Sequence, residues 1–221
     1  SETWGQPVIV ENRVGGSEVI AGEMVSKARP DGYTLLLAGG VITLTPAIMP
    51  KLPYDPIKDF TPIGMVSEAV LVVAVSNQSG IRTMQDLVAR AKKEPGKLFY
   101  GTSGVGTSHH LSAELLQTVI GVKMTHVPYK DPSIVATELM ADRLPTGWGI
   151  FGTMYQPHMS GKLRIIAINN TTRYGRTPDI PTVTEGVPGY APPPGWNAWF
   201  GPAGLPRPIV TRLNTELNKA V

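Results

Sequence analysis

Pro7-Val8-Ile9-Val10, Arg13-Val14-Gly15-Gly16-Ser17, Pro30-Asp31-Gly32-Tyr33 and Thr34-Leu35-Leu36-Leu37-Ala38 follow one another near the start of the chain, and their order decides the fold class. The first is a short apolar run that reads as a buried strand. Gly15-Gly16 makes a turn, and Ser17 is placed to cap a helix running to about Ala28. The Pro30–Tyr33 turn then feeds a second strand. Strand, helix and strand in that order predict a right-handed parallel crossover, and so an α/β sheet.

The same alternation continues outward. Beyond a proline-rich stretch at Pro50, Pro53 and Pro56, residues 66–75 are long and β-branched enough for a strand or a strand pair. Thr83 with Asp86 three residues on resembles a capping box, opening a helix that ends near Glu94-Pro95-Gly96. Leu98-Phe99-Tyr100 is a strand, residues 101–107 a glycine-rich loop, and the next helix shows one apolar face through Leu111, Leu115, Leu116 and Val119. Gly121 stands where a C-terminal cap belongs. Met124 to Val127 is a further strand, and Asp131-Pro132 reads as an N-cap followed by proline at the first helical position. Leu163 to Ile168 is one more strand, residues 169–194 are turn-rich, and residues 206–221 form a helix with Ile209, Leu213 and Leu217 at helical spacing. The simplest partition is two α/β lobes, residues 1–76 with 170–221 and residues 77–169, joined near Val75–Gln78 and Ile168–Arg173.

Composition narrows the function. Hydrophobic residues make up 42% of the 221, which suits a packed chain, and 24 glycines with 21 prolines imply many turns. A net charge of +3 without a Lys/Arg block argues against nucleic acid, whose phosphates need clustered cations. The absence of cysteine excludes disulfides, thiolate metal sites and cysteine nucleophiles. No apolar run approaches the roughly 18 residues of a membrane span. No cofactor or metal is expected, and a monomer is.

Tyr100-Gly101-Thr102-Ser103-Gly104-Val105-Gly106-Thr107-Ser108 is the sharpest local signal. Glycines let backbone N–H groups turn toward an anion, and a following helix adds its partial positive charge. His109 stands where a dinucleotide fingerprint needs glycine, and no P-loop Gly-Lys-Ser/Thr ending occurs. A carboxylate therefore suits Ser103, Gly104, Gly106, Thr107 and Ser108 better than a nucleotide does; a tight turn with an N-cap suits the same residues. Tyr129 and Lys130 at a strand end are a second candidate, equally readable as a half-buried tyrosine and a solvated lysine. Gly39 and Gly40, ending another strand, are a third. Trp196 and Trp199 fall on opposite faces if they lie on a strand, and the core is the better reading for them. His109 and His110 point about 100° apart on a helix and cannot share a metal at i,i+4 spacing. His126 and His158 have no carboxylate partner suggested by the sequence. No Gly-x-Ser-x-Gly elbow is present. An α/β enzyme using His110 or Lys130 as base, and a ligand sensor, are the rival readings.

In order along the chain, Gln6-Pro7-Val8-Ile9-Val10-Glu11-Asn12-Arg13, Ala28-Arg29-Pro30-Asp31-Gly32-Tyr33-Thr34-Leu35-Leu36, Leu52-Pro53-Tyr54-Asp55-Pro56, Lys58-Asp59-Phe60, Gly104-Val105-Gly106-Thr107-Ser108, His110-Leu111, His126-Val127-Pro128-Tyr129-Lys130, Gly161-Lys162-Leu163-Arg164 and Pro178-Asp179-Ile180-Pro181-Thr182-Val183 resemble the Bug-type substrate-binding proteins of tripartite tricarboxylate transporters. The resemblance implies an α/β, two-lobed, Venus-flytrap receptor of the periplasm. Such a receptor closes on a small organic carboxylate (a di- or tricarboxylate or an aromatic acid) and delivers it to transporter subunits in the inner membrane. It implies that residues 103–108 are one carboxylate loop, with Gly39, Gly40, Tyr129, Thr153 and Trp196 shaping the far end. It also implies a truncated chain, with another loop and a signal peptide before residue 1 and an extension beyond Val221. Two positions depart from the family: Asp131 replaces a usual Gly, and Gly152 replaces a frequent Asp, which lowers the expectation of an amino-acid ligand.

Overall fold

The computed structural model describes residues 4–13, 15–49, 51–193 and 195–220. Val14, Pro50, Pro194, Val221 and the Ser17 side chain, with the cap expected of it, lie outside the described residues. The chain divides into two compact units, Ser1–Glu68 with Trp196–Val221, and Ala69–Gly195.

In the first unit, helix α1 (Val19–Ser26) leads to strand β1 (Leu36–Gly39), helix α2 (Val41–Ile48) and strand β2 (Phe60–Glu68); the chain returns as strand β8 (Trp196–Pro202) and helix α8 (Arg207–Ala220). The sheet has the order β1-β8-β2, with β8 antiparallel to both neighbours. Val25, Leu36, Ala38, Ile42, Tyr54 and Phe60 form its core. The strand predicted at residues 7–10 is not formed: Val8, Ile9 and Val10 are 63%, 79% and 78% exposed and join no ladder among the described residues. An apolar run becomes a strand only where a neighbour takes up its N–H and C=O groups. β1 finds that neighbour in β8, so this sheet is antiparallel where a parallel crossover was expected.

The second unit carries the parallel crossovers. Its elements are β3 (Leu71–Val75), α3 (Met84–Lys93), β4 (Phe99–Thr102), α4 (Ser108–Ile120), β5 (Thr125–Pro128), α5 (Pro132–Met140), β6 (Thr146–Ile150), α6 (Phe151–Met159), β7 (Arg164–Ile168) and the single turn α7 (Val183–Gly186). The sheet order is β5-β4-β6-β3-β7; β4 runs parallel to β5 and β6, and β3 antiparallel to β6 and β7. β3 is wholly buried, and its alternation serves two layers. Val73 and Val75 pack with Tyr100, Trp148 and residues of α3 and α4, while Val72 and Ala74 pack with residues of α5 and α6. Thr83 and Asp86 form the expected capping box, Gly121 closes α4 at φ 67°, and Asp131 caps α5.

The lobe boundaries move from those expected. β3 is an interior strand of the five-stranded sheet, between β6 and β7, so the first passage between units falls at Glu68/Ala69 and not near Val75. Residues 170–195 stay with the second unit, because Val183, Val187 and Tyr190 are part of its core. β6 and α6 were not foreseen. Thr146-Gly147-Trp148-Gly149-Ile150 has poor strand propensity, yet its glycines admit α5 and α6: a Cβ on Gly147 would sit 2.6 Å from Val135 Cγ1, and one on Gly149 would strike Met154.

Candidate functional site

In the second unit, β4 feeds α4 on one face of the sheet and the neighbouring parallel strand β6 feeds α6 on the other. Where adjacent parallel strands send their connections to opposite faces, a crevice opens beyond their carboxyl ends, the usual ligand position in an α/β sheet. Residues 103–107 leave β4 there, Thr153 lies in the first turn of α6, and Tyr129 follows the end of β5.

The loop is internally braced. The buried Thr102 hydroxyl accepts the Gly104 N–H at 3.2 Å, and its oxygen lies 2.7 Å from His126 Nε2. Thr107 caps α4 by accepting the His110 N–H at 3.3 Å, and its hydroxyl donates to the Gly104 carbonyl at 2.8 Å. Gly104 and Gly106 hold φ of 127° and 79°, which side chains with a Cβ rarely adopt. α4 spans 13 residues from Ser108, so its N-terminal field reaches the loop without any cation.

Three histidines, none singled out as a group by the sequence, stand behind this loop. His109 is buried, with Nδ1 2.6 Å from Ser103 Oγ and Nε2 without a partner among the described residues. Burial lowers its pKa to about 4. His110 Nδ1 accepts the Gly106 N–H at 3.2 Å, and its Nε2 is 3.8 Å from Glu114 Oε1. Burial lowers the pKa of His110 despite Glu114. His126 stacks between His110 and Tyr100, with ring centroids at 4.3 and 4.9 Å. Burial, reinforced by His110, lowers its pKa to about 4. His110 and His126 thus meet face to face, and among the described residues no three metal-ligating side chains converge. No sequence spacing marks the pair: the parallel register of β4 and β5 sets His126 opposite Tyr100, and only there does it meet His110.

The other expected residues divide between the units. Tyr129 donates its N–H to the Thr102 carbonyl at 2.9 Å and packs its ring against the core. Lys130 is exposed. Asp131 is engaged as a cap, accepting the Ser133 N–H at 2.7 Å and the Ser133 hydroxyl at 2.5 Å, which lowers its pKa. Gly152 faces open space, and the Thr153 hydroxyl donates to the Ile150 carbonyl at 2.9 Å. Gly39, Gly40 and Trp196 belong to the first unit. There Gly39 gives its N–H to the Glu18 carboxylate at 3.2 Å, Gly40 occupies the N-cap of α2, and Trp196 packs near Phe200 with centroids at 6.2 Å.

The pattern of the tripartite tricarboxylate transporter family receptor, TctC, matches residues 1–221. The chain belongs to that family. A protein encoded in the tcbD-tcbE intergenic region of Pseudomonas sp. strain P51 is 33% identical over 223 residues, covering 100% of this chain and 66% of its own length. The chain thus spans about two thirds of that relative. Rpa4515 of R. palustris, solved with adipate, is 33% identical with a TM-score of 0.90, covering 98% of this chain and 73% of that one. MatC of Rhodopseudomonas palustris, solved with bound malate, is 28% identical with a TM-score of 0.89, covering 99% and 75%. These likenesses show an α/β fold of the two-lobed periplasmic binding-protein type. No helix among the described residues is long and apolar enough to cross a membrane.

Proposed function

We propose that this chain is the greater part of a solute receptor that holds a small organic carboxylate on residues 103–108 and delivers it, outside the cytoplasm, to the membrane subunits of a tripartite tricarboxylate transporter. The observation that carries the reading is the loop itself. Uncharged hydroxyls and glycine-shaped backbone stand at the crevice beyond β4 and β6, at the N-terminus of a 13-residue helix. Such a site matches a carboxylate by directed hydrogen bonds and leaves release easy, because no buried cation has to part from the anion. Adipate and malate, held by two relatives, are both dicarboxylates. Ser103, Gly104, Gly106, Thr107 and Ser108 are assigned to the carboxylate, with Tyr129 and Thr153 beside them.

Binding without chemistry is part of the proposal. Ser103 and His109 stand at the distance of a nucleophile and its base, but a general base works best with a pKa near the operating pH and needs a third group to orient it. His109 is buried, has a pKa lowered to about 4, and has no partner on Nε2 among the described residues.

The test is a thermal-shift series on the full-length protein with adipate, malate, glutamate and glucose, followed by recovery of the ligand. Saturation at 100 times the dissociation constant adds about 2.7 kcal/mol, a rise of roughly 5–10 °C. A rise confined to carboxylates, with ligand recovered unchanged, supports the receptor. A rise only with glucose, or turnover of the acid, sinks it.

A further inference from the structure

Two adjacent histidines at the start of α4 grip the two sides of the loop through the same ring atom. Gly106 N–H can only donate, so His110 Nδ1, 3.2 Å away, must be bare, and neutral His110 carries its proton on Nε2, toward Glu114. His109 poses the opposite case. Its Nδ1 lies 2.6 Å from Ser103 Oγ, and its Nε2 is buried with no partner among the described residues. With the proton on Nε2, a buried N–H would be left without an acceptor. With the proton on Nδ1, the group left unpaired is a lone pair, the less costly orphan.

We infer that His109 is a positioning residue, held as the Nδ1–H tautomer, and that by donating to Ser103 Oγ it turns the Ser103 hydroxyl proton outward as a donor for the ligand. The Ser103 oxygen is then an acceptor toward the protein and a donor toward the crevice. On the protein side the Ser103 hydroxyl is held by His109. The group it takes from a ligand is consequently an acceptor: a carboxylate oxygen, the strongest of the common acceptors, suits it better than a neutral hydroxyl, and an ammonium, which can only donate, does not fit. The inference deepens the carboxylate reading and rests on it only for the identity of the acceptor. Neither neighbouring histidine is interchangeable with the other, because one must donate at Nδ1 and the other must accept there.

The decisive measurement is long-range proton–nitrogen NMR on the ligand-free full-length protein at pH 7.5. The expected result is opposite tautomers on consecutive residues: His109 with a protonated Nδ1 and a bare Nε2, His110 the reverse. A protonated Nε2 on His109 overturns the inference, whatever the protein binds. The second arm reads adipate affinity. Ser103→Ala is expected to weaken it about tenfold, the worth of one hydrogen bond to a charged group. His109→Leu should cost about as much, the double variant no more than either, and His109→Asn, which keeps a short donor, should recover most of the loss. If His109→Leu binds adipate like the parent, or if the two losses multiply, the coupling is absent. Failure of adipate and every other carboxylate to bind would break the carboxylate reading and leave the tautomer result standing.

Discussion

Two glycine-bearing strand ends, one in each unit, share a sequence signal and differ in chemistry. After β4, Gly104 and Gly106 open a loop whose hydroxyls and helix N-terminus are donors. After β1, Gly39 and Gly40 look the same on paper, but the Gly39 N–H is already taken by the Glu18 carboxylate. Glu18 reaches it from a left-handed backbone, φ 71°, and burial raises its pKa, opposed by the Gly39 bond. The first unit's strand end therefore presents a carboxylate where the second presents hydroxyls. A glycine at a strand end is permission for backbone to approach a ligand, and the side chains sent to that backbone decide what it approaches.

Acid provides the widest separation of the two regions. All four histidines lie in the second unit. His109 and His126 have pKa values lowered to about 4, the first by burial and the second by burial and then His110, against about 6.5 in the unfolded chain. Between those values the unfolded state takes up protons that the folded state refuses. Their stabilisation is complete above pH 6.5 and is lost as pH falls toward 4. The buried His109 alone accounts for roughly 3 kcal/mol over that window. Protection factors from hydrogen exchange should therefore fall in α4 and β5 between pH 6.5 and 5 while β1 and β8 hold. Equal losses in both units would mean that the histidines are not what distinguishes them.

Much of this contrast was legible in the sequence, and the rest was not for identifiable reasons. The 103–108 loop with an N-cap in it, the Thr83/Asp86 box and the Asp131-Pro132 start are local signals, fixed by residues within a few positions of one another, and the structure has each of them, with Thr107 as the cap of the loop's helix. β6 was hidden because its glycines exist for α5 and α6, which the local pattern does not record. Residues 7–10 are apolar enough for a strand, but apolar content does not record pairing, and among the described residues no strand pairs with them. The His110–His126 stack depends on a register between β4 and β5, and the Glu18–Gly39 bond joins residues 21 apart. Long-range pairings of this kind leave no spacing to read.

Glu18 provides a smaller and opposite effect. A carboxylate whose pKa is raised on folding favours the folded state most when protonated, so its contribution declines as pH rises above about 4.5, the reverse of the histidines. Glu18→Gln removes the buried charge and keeps the left-handed backbone; Glu18→Gly removes both, and relief of that backbone is worth about 1 kcal/mol. At pH 8 the expected order of melting temperatures is Gly above Gln above the parent, with the gap between Gln and the parent closing as pH falls toward 4.5. A Gln variant less stable than the parent at pH 8 would show that the bond to Gly39 outweighs the cost of burying the charge. The first unit's strand end would then be a strong built-in anion site occupied by its own chain.

The smallest effect belongs to Asp131, the charge that stands beside the donor loop and still does not contradict it. Its carboxylate accepts the N–H and the hydroxyl of Ser133, and these bonds lower its pKa. A carboxylate spent on its own helix offers its remaining field mostly to solvent, where it is screened. Asp131→Ala should cost about 1 kcal/mol, the usual worth of an N-cap, and leave adipate affinity within about twofold. Asp131→Asn keeps the acceptor, removes the charge, and should recover most of the stability. The two readouts separate the roles because a cap acts on unfolding and a repelling charge acts on binding. If both variants bind adipate several-fold more tightly, with the gain fading in salt, the carboxylate opposes the ligand, and the donor character assigned to this edge is partly cancelled by its own neighbour.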